Sequence, residues 1–257
     1  MMDLQKASMG KRIMSAIFDG ILLGTLAVGI AILLSACFGY DGYLDRYTAV
    51  LDSYEQQYGI NLRITTEEYE SLSAAEQDAY MEQWNAVDAA LRQDADYTAL
   101  NLKLSNLRLM ILSFSLLLSV LLMEFFAPLL FGNGQTLGKK IFGIGLMHIE
   151  GIRVTGVQMF IRAILGKFTL ELMLPIYILL LTFSGGGIGI VGPALLAVLG
   201  IAQIVCLVIT RTNAPIHDIF ASTVAVDFAS QRIFEDREDR DNYIKAIHAE
   251  RAARADY

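Results

Sequence analysis

Three carboxylates in this chain sit where charge is costly. Asp19, Glu124 and Glu171 each fall inside, or just within the edge of, a long apolar run, and Gln203 lies in a fourth. A charged side chain in hydrocarbon costs from about 2.5 kcal/mol upward, so each needs an ion partner, a proton or water. Carboxylates crowded together in low dielectric can take up and release protons near neutral pH, as coupled exchange of protons or small cations requires. The other use is structural, in which an arginine neutralises them and the set locks helices together.

Spacing along the helices puts these residues at similar depths. Asp19 follows Arg12 by seven residues, Glu124 precedes Phe131 by seven and Gln203 precedes Thr210 by seven, each about 10 Å into a helical span. Glu171 follows Lys167 by four, about 6 Å. All four therefore belong to one leaflet and suggest a polar layer across a helix bundle. Arg12 and Asp19 lie on nearly the same helix face. Asp218, in Pro215-Ile216-His217-Asp218-Ile219 just after the last apolar run, is placed to pair with Arg12 or Arg211, and Lys167 with Glu171 forms an i, i+4 pair.

Other constellations carry less chemistry. Gly134-Gln135-Thr136-Leu137-Gly138-Lys139 has three residues between its glycines where a phosphate-binding loop needs four, and an apolar span precedes it. Lys139 and Lys140 are better placed among anionic headgroups. His148, His217 and His248 are scattered along the chain, and Cys37 and Cys206 lie in or beside apolar runs with no ligand spacing. No metal site, cofactor site or catalytic nucleophile is expected, and the chain reads as a non-enzyme.

The elements that must position the polar residues follow from segregated hydrophobicity. The chain is 54% hydrophobic over 257 residues, with mean hydropathy +0.47. Its apolar residues concentrate in 13–38, 109–131, 168–183 and 188–210. Three of these reach the roughly 20 residues that a 30 Å hydrocarbon core requires. The third is short and is joined to the fourth by a Gly-rich turn, which predicts a helical hairpin with tilt or local thinning absorbing the mismatch. An all-α membrane protein with four transmembrane helices is the expected class.

Charge sets the orientation. The net charge of −7 gives nucleic acid no footing, but its distribution is uneven. The N-terminal twelve residues and the segment between spans two and three are basic, whereas 41–107 holds four basic against thirteen acidic side chains. Lys and Arg stay on the cytoplasmic side, so both termini are expected inside and the acidic insertion outside. Leu34-Ser35-Ala36-Cys37 resembles a lipoprotein cleavage site, but the preceding run exceeds the about 7–15 residues of a signal h-region and contains Asp19, so a retained helix is expected.

The insertion has no proline, and its Thr65-Thr66-Glu67-Glu68 and Ser73-Ala74-Ala75-Glu76 match capping boxes. It is predicted to be helical, with Tyr80, Trp84, Val87 and Leu91 as one stripe seeking an apolar partner. That partner is either a neighbouring helix on the extensions of spans one and two or another protein. Residues 132–167 carry eight glycines, too many for a span, and predict a cytoplasmic loop. Within it, Leu146–Val154 reads as two short strands around a Glu150-Gly151 turn, followed by an amphipathic helix over Val157–Lys167. The tail from about Phe228 reads as a solvated charged helix.

Arg12 with Asp19, the loop from Gly134 to Lys140, and Pro215-Ile216-His217-Asp218 together resemble the RDD family of bacterial membrane proteins, named for one arginine and two aspartates. The resemblance covers about residues 7–38 and 109–227. It implies that Arg12, Asp19 and Asp218 are the family's charged set, with Gly134, Gln135, Thr136, Gly138 and Lys139 as its loop signature. It also implies a multi-pass protein of the bacterial plasma membrane, and transport, including sodium/proton exchange, has been proposed for some members. The expected organisation is span one within 1–38, the insertion over 39–107, span two over 108–131, the basic loop over 132–167, the hairpin over 168–210 and a cytoplasmic motif and tail over 211–257. An accessory or scaffold subunit is the leading expectation, with a protein partner bound through insertion or tail. A cation or proton transporter is the alternative, for which a homodimer would supply eight helices.

Overall fold

A computed structural model describes residues 4–173, 175–177 and 191–255. The chain is mostly helical, at 74%, as the apolar runs and capping boxes predict. Among the described residues two helices are long and apolar enough to cross a membrane: α1, Met9–Phe38, and α5, Ala95–Phe131. The fourth apolar run is helical over Val191–Ile209 (α8). Residues 174 and 178–183 of the third run, and the hairpin turn expected after it, lie outside the described residues.

The chain divides into two compact units, Ala31–Leu112 and the combination of Met1–Ile30 with Ser113–Tyr257. In the first, α2 (Tyr40–Tyr58), α3 (Thr66–Glu70) and α4 (Ala74–Gln93) precede the start of α5. Both predicted capping boxes form, with Thr65 and Ser73 accepting from the backbone of Glu68 and Glu76. The predicted stripe finds its partner within this unit: Val87 and Leu91 pack with Ile60, and Trp84, Tyr80, Tyr54 and Tyr97 surround them. Hydrogen bonds tie the helices at their edges, Tyr54 to Asp94 at 3.0 Å and Tyr80 to the Asn61 carbonyl at 2.9 Å.

In the second unit, Val120 of α5 packs with Ala163 and Phe168, and Leu23 of α1 closes the same cluster. Helix α5 widens to a π-helical turn over Leu121–Phe126, and Ala127 N–H donates to Leu122 five residues back. Pro128 follows directly. It has no N–H to return to the preceding turn and its ring presses on that turn's carbonyl, so a wider turn relieves the clash. Glu124 sits in that turn, buried.

After α5 the chain turns at Gly132, forms the short helix α6 (Leu137–Ile141) and enters strand β1, Ile144–His148. The expected hairpin is only half present. His148 N–H donates to Ile152 across a Glu150-Gly151 turn, and Met147 makes a single bridge to Arg153. The main partner of β1 is instead β2, Thr223–Asp227, antiparallel with Ile144 opposite Asp227 and His148 opposite Thr223. Alternating apolar residues in both strands bury Met147, Val224 and Val226 with Leu4 and Ile233 around them. This sheet makes the all-α class too narrow.

The amphipathic helix expected over Val157–Lys167 is present as α7, which begins over Gly156–Phe160 behind a Thr155/Gln158 capping box and continues as a π-helix over Ile161–Glu171. It packs on α9, Ile216–Phe220. The tail is not merely solvated. Its helix α10, Arg237–Ala255, is anchored at its start by Arg237 and Arg240 to Glu150, while Tyr243 lies on the buried Phe234.

Candidate functional site: a buried ion chain

Arg162 is the centre of the site. Its side chain is 1% exposed, and all three guanidinium nitrogens are engaged. Nε donates to Asp218 Oδ1 at 2.8 Å, Nη1 to Glu124 Oε2 at 3.0 Å, and Nη2 meets His217 Nε2 at 3.0 Å. Lys167 Nζ holds the other oxygen of Glu124. Asp218 Oδ1 also accepts from Thr223 Oγ1 at 2.9 Å. On the far side His217 Nδ1 meets Glu171 Oε1 at 2.5 Å, and Gln203 Nε2 donates to the same oxygen at 2.7 Å. Gln203 Oε1 in turn accepts the Ile216 N–H at 2.9 Å.

The π-helical pitch of α7 explains this arrangement. Bonding to the fifth residue back widens each turn, so Arg162, Gly166 and Glu171 all face α9. Lys167 is turned towards Glu124, and the expected Lys167–Glu171 pair does not form. The two helices touch at Gly166, where an added Cβ would lie 2.5 Å from His217 Cβ and 2.7 Å from its Cα. Only glycine admits this approach, and the approach sets the Arg162–Asp218 distance.

Electrostatics fix the protonation of the residues outside the spans. Burial alone would raise the Asp218 carboxyl, but the adjoining Arg162 guanidinium outweighs it and holds the group well below the usual carboxylate range. Burial pushes His217 below its ordinary value, against the pull of Asp218 and Glu171. A neutral imidazole fits the contacts: Nε2 accepts from Arg162 and Nδ1–H donates to Glu171.

Asp19 belongs to a second arrangement. Its carboxylate accepts from Thr136 Oγ1 at 2.5 Å, from the Gly138 N–H at 2.8 Å and from Ser15 Oγ at 3.4 Å. The loop signature is therefore a cradle for Asp19. Thr136 caps α6 and Gly138 lies in its first turn, where backbone N–H groups favour an anion. An added Cβ on Gly138 would sit 2.6 Å from the Ser15 carbonyl. Gln135 is buried and donates to the Ile144 carbonyl at 2.7 Å, and Gly134, at φ +70°, lies against Leu146 where a side chain would crowd. Lys139 reaches Thr136 Oγ1 at 3.3 Å, and burial, with Arg162 nearby, lowers its amine to about 8.

The predicted residues thus separate into two sets. Glu124, Glu171, Gln203 and Asp218 are brought together, but through Arg162, Lys167 and His217, which sequence reasoning counted as a loop charge, a helix-end pair and a scattered histidine. Arg12 lies close enough to Asp218 for their charges to attract but forms no salt bridge with it: its Nη1 donates to the Thr212 carbonyl at 3.4 Å, and the direct partner of Asp218 is Arg162. Arg211 does not pair with Asp218 either. Arg162 could have been found from its place in the stripe Met159-Arg162-Ala163-Gly166, all of which are buried. Among the described residues no group of three or more His, Cys, Asp or Glu could hold a metal.

Two helices long and apolar enough to cross a membrane thus accompany a buried chain of paired ions in a mostly helical chain. The chain belongs to the RDD family: the family's model matches residues 6–222, a span that includes Arg12, Asp19, the loop signature and Asp218. No curated protein and no solved structure matches it.

Proposed function

We propose that the protein is a non-catalytic accessory or scaffold subunit of the bacterial plasma membrane, crossing it four times with both termini in the cytoplasm. Its Arg162 chain acts as a lock on the cytoplasmic ends of the helices. The observation that supports this most is saturation. Each guanidinium nitrogen of Arg162 has a partner, both oxygens of Glu124 are held, and among the described residues Ser113 Oγ is the one buried side-chain polar atom without a partner. Transport would require a carboxylate free to exchange its ligand, whereas a satisfied network specifies one arrangement. The acidic insertion or the charged tail would then present the partner-binding surface.

One observation favours the transporter instead: a cavity of about 260 Å³ is lined by Asp19, Glu171, His217 and Asp218. Proteoliposome measurements of sodium and proton flux separate the two. The scaffold predicts flux equal to that of empty liposomes, and deletion of residues 60–95 should release a co-purifying partner. Flux above that background, abolished in Asp19→Asn and Asp218→Asn, would overturn it.

A further inference from the structure

A second cavity, of about 720 Å³, opens where the chain enters α1 and leaves α8. Lys6, three residues before Met9, and Arg211, two after Ile209, both line it, together with Arg240 of α10. Its charges do not balance. Glu150 is the one carboxylate among the described lining residues, and it is held by Arg237 at 2.9 Å and by Arg240 at 3.7 Å. Arg240 also pairs with Asp241 at 2.8 Å. Two arginines and two carboxylates thus cancel, and Lys6 and Arg211 are left over, with no ion pair among the described residues.

The two cations are held side by side. Lys6 Nζ donates to the Arg211 carbonyl at 3.2 Å and to Asn213 Oδ1 at 3.1 Å, both neutral acceptors, so one of its three hydrogens remains free. The Arg211 guanidinium donates to no described residue, and both residues are exposed, so an incoming anion displaces no protein acceptor. We infer that this cavity binds a phosphate group through Lys6 and Arg211, with the headgroup of an anionic phospholipid as its source. A guanidinium fork takes two phosphate oxygens at once and an ammonium adds a point charge beside it. Cations within three residues of the ends of apolar helices lie at headgroup level when those helices span a bilayer. The cavity is larger than a phosphate ion fills, and Leu4, Met147, Ile149 and Ile244 give it an apolar share that suits the glycerol end of a lipid. The choice of lipid rests on the proposed crossing of the membrane by α1 and α8; the phosphate site itself does not, and neither depends on the Arg162 lock.

The test uses the full chain purified in a neutral detergent. Binding of dioleoylphosphatidylglycerol and dioleoylphosphatidylcholine is followed by native mass spectrometry, and binding of inorganic phosphate by calorimetry. Phosphatidylglycerol should bind more tightly than phosphatidylcholine, and its affinity should fall about fivefold in each of Lys6→Gln and Arg211→Gln, as loss of one cation worth about 1 kcal/mol implies. The Arg211 side chain has no described partner to lose, so Arg211→Gln tests binding without disturbing the fold. Lys140→Gln, whose ammonium lies over the Phe131 ring outside the cavity, removes the same charge and should bind as the parent does. Phosphatidylglycerol that millimolar phosphate fails to displace identifies the lipid. Phosphate that binds alone, with the same dependence on Lys6 and Arg211, upholds the site but assigns it to a soluble phosphate, against the placement of α1 and α8 in a bilayer. Equal affinity for the two lipids with no phosphate binding, unchanged affinity in both Lys6→Gln and Arg211→Gln, or an equal loss in Lys140→Gln would overturn the inference.

Discussion

Gly166 is where the packing of the ion chain can be perturbed by a single methyl group. In Gly166→Ala the new carbon would lie 2.5 Å from His217 Cβ and 2.7 Å from Cα. Carbon atoms pack at about 3.5–4.0 Å, so α7 and α9 must separate by roughly 1 Å. That movement takes the Arg162 Nε to Asp218 Oδ1 contact, now 2.8 Å, beyond the roughly 3.2 Å limit of a good hydrogen bond. Overpacking costs about 1–3 kcal/mol, and weakening a charged hydrogen bond adds about 1.5–3 kcal/mol. Against this, alanine gains about 1 kcal/mol over glycine in a helix. The net loss is about 1.5–5 kcal/mol, equivalent to a fall in Tm on the order of 3–20 °C. Thermal unfolding in detergent, followed by loss of the monodisperse peak, measures it. Gly24→Ala in α1 is the control, because no atom lies within 4 Å of its added carbon, and its Tm should be unchanged or slightly raised. A Gly166→Ala protein melting within about 2 °C of the parent would refute the close approach of α7 and α9.

Two further outcomes follow from the same geometry. Gly138→Ala should destabilise the protein by about 1–3 kcal/mol, because its Cβ would fall 2.6 Å from the Ser15 carbonyl and 2.8 Å from Asp19 Cγ; a Tm equal to that of the parent would dissociate the loop from α1. Stability should also decline as pH drops below about 6.5, the ordinary histidine value, because the unfolded chain then binds a proton that buried His217, facing Arg162, Asp218 and Glu171, takes up only at lower pH. Asp218, with its lowered value, contributes stability that is present above 3.8 and lost only below it. Tm measured from pH 7.5 to 5 should therefore slope in the parent and flatten in His217→Gln; equal slopes would remove His217 from the network.

Much of this was legible in the residues because the signals are local. Apolar length located α1 and α5, and the hydroxyl-x-x-carboxylate pattern located the starts of α3 and α4. Asp19 stood out as a carboxylate in an apolar run and Gly138 as part of the loop signature, but not as partners, since contact between residues 119 apart carries no local signature. The same limit hid β2: the Leu146–Val154 segment looks like a hairpin by its turn chemistry, and only the fold brings Thr223–Asp227 alongside. Arg162 was missed for a different reason. A lone arginine in a basic loop resembles a headgroup cation, and its position on a buried stripe acquires meaning only when Glu124 and Asp218 arrive to neutralise it. The π-helical pitch of α7 then redirected Lys167 away from Glu171, a change that i, i+4 reasoning does not contain.

The lock itself is tested most directly by comparing Arg162→Met with Arg162→Met/Asp218→Asn. Removing the guanidinium alone leaves a buried carboxylate without its counter-ion, which costs about 3–5 kcal/mol, whereas a neutral replacement of both partners restores most of that; Glu124 keeps Lys167 in either case. The single variant should therefore melt well below the parent and the double variant should recover most of the difference. A single variant as stable as the parent, or a double variant less stable than the single one, would show that the Arg162–Asp218 pair does not hold the helices together.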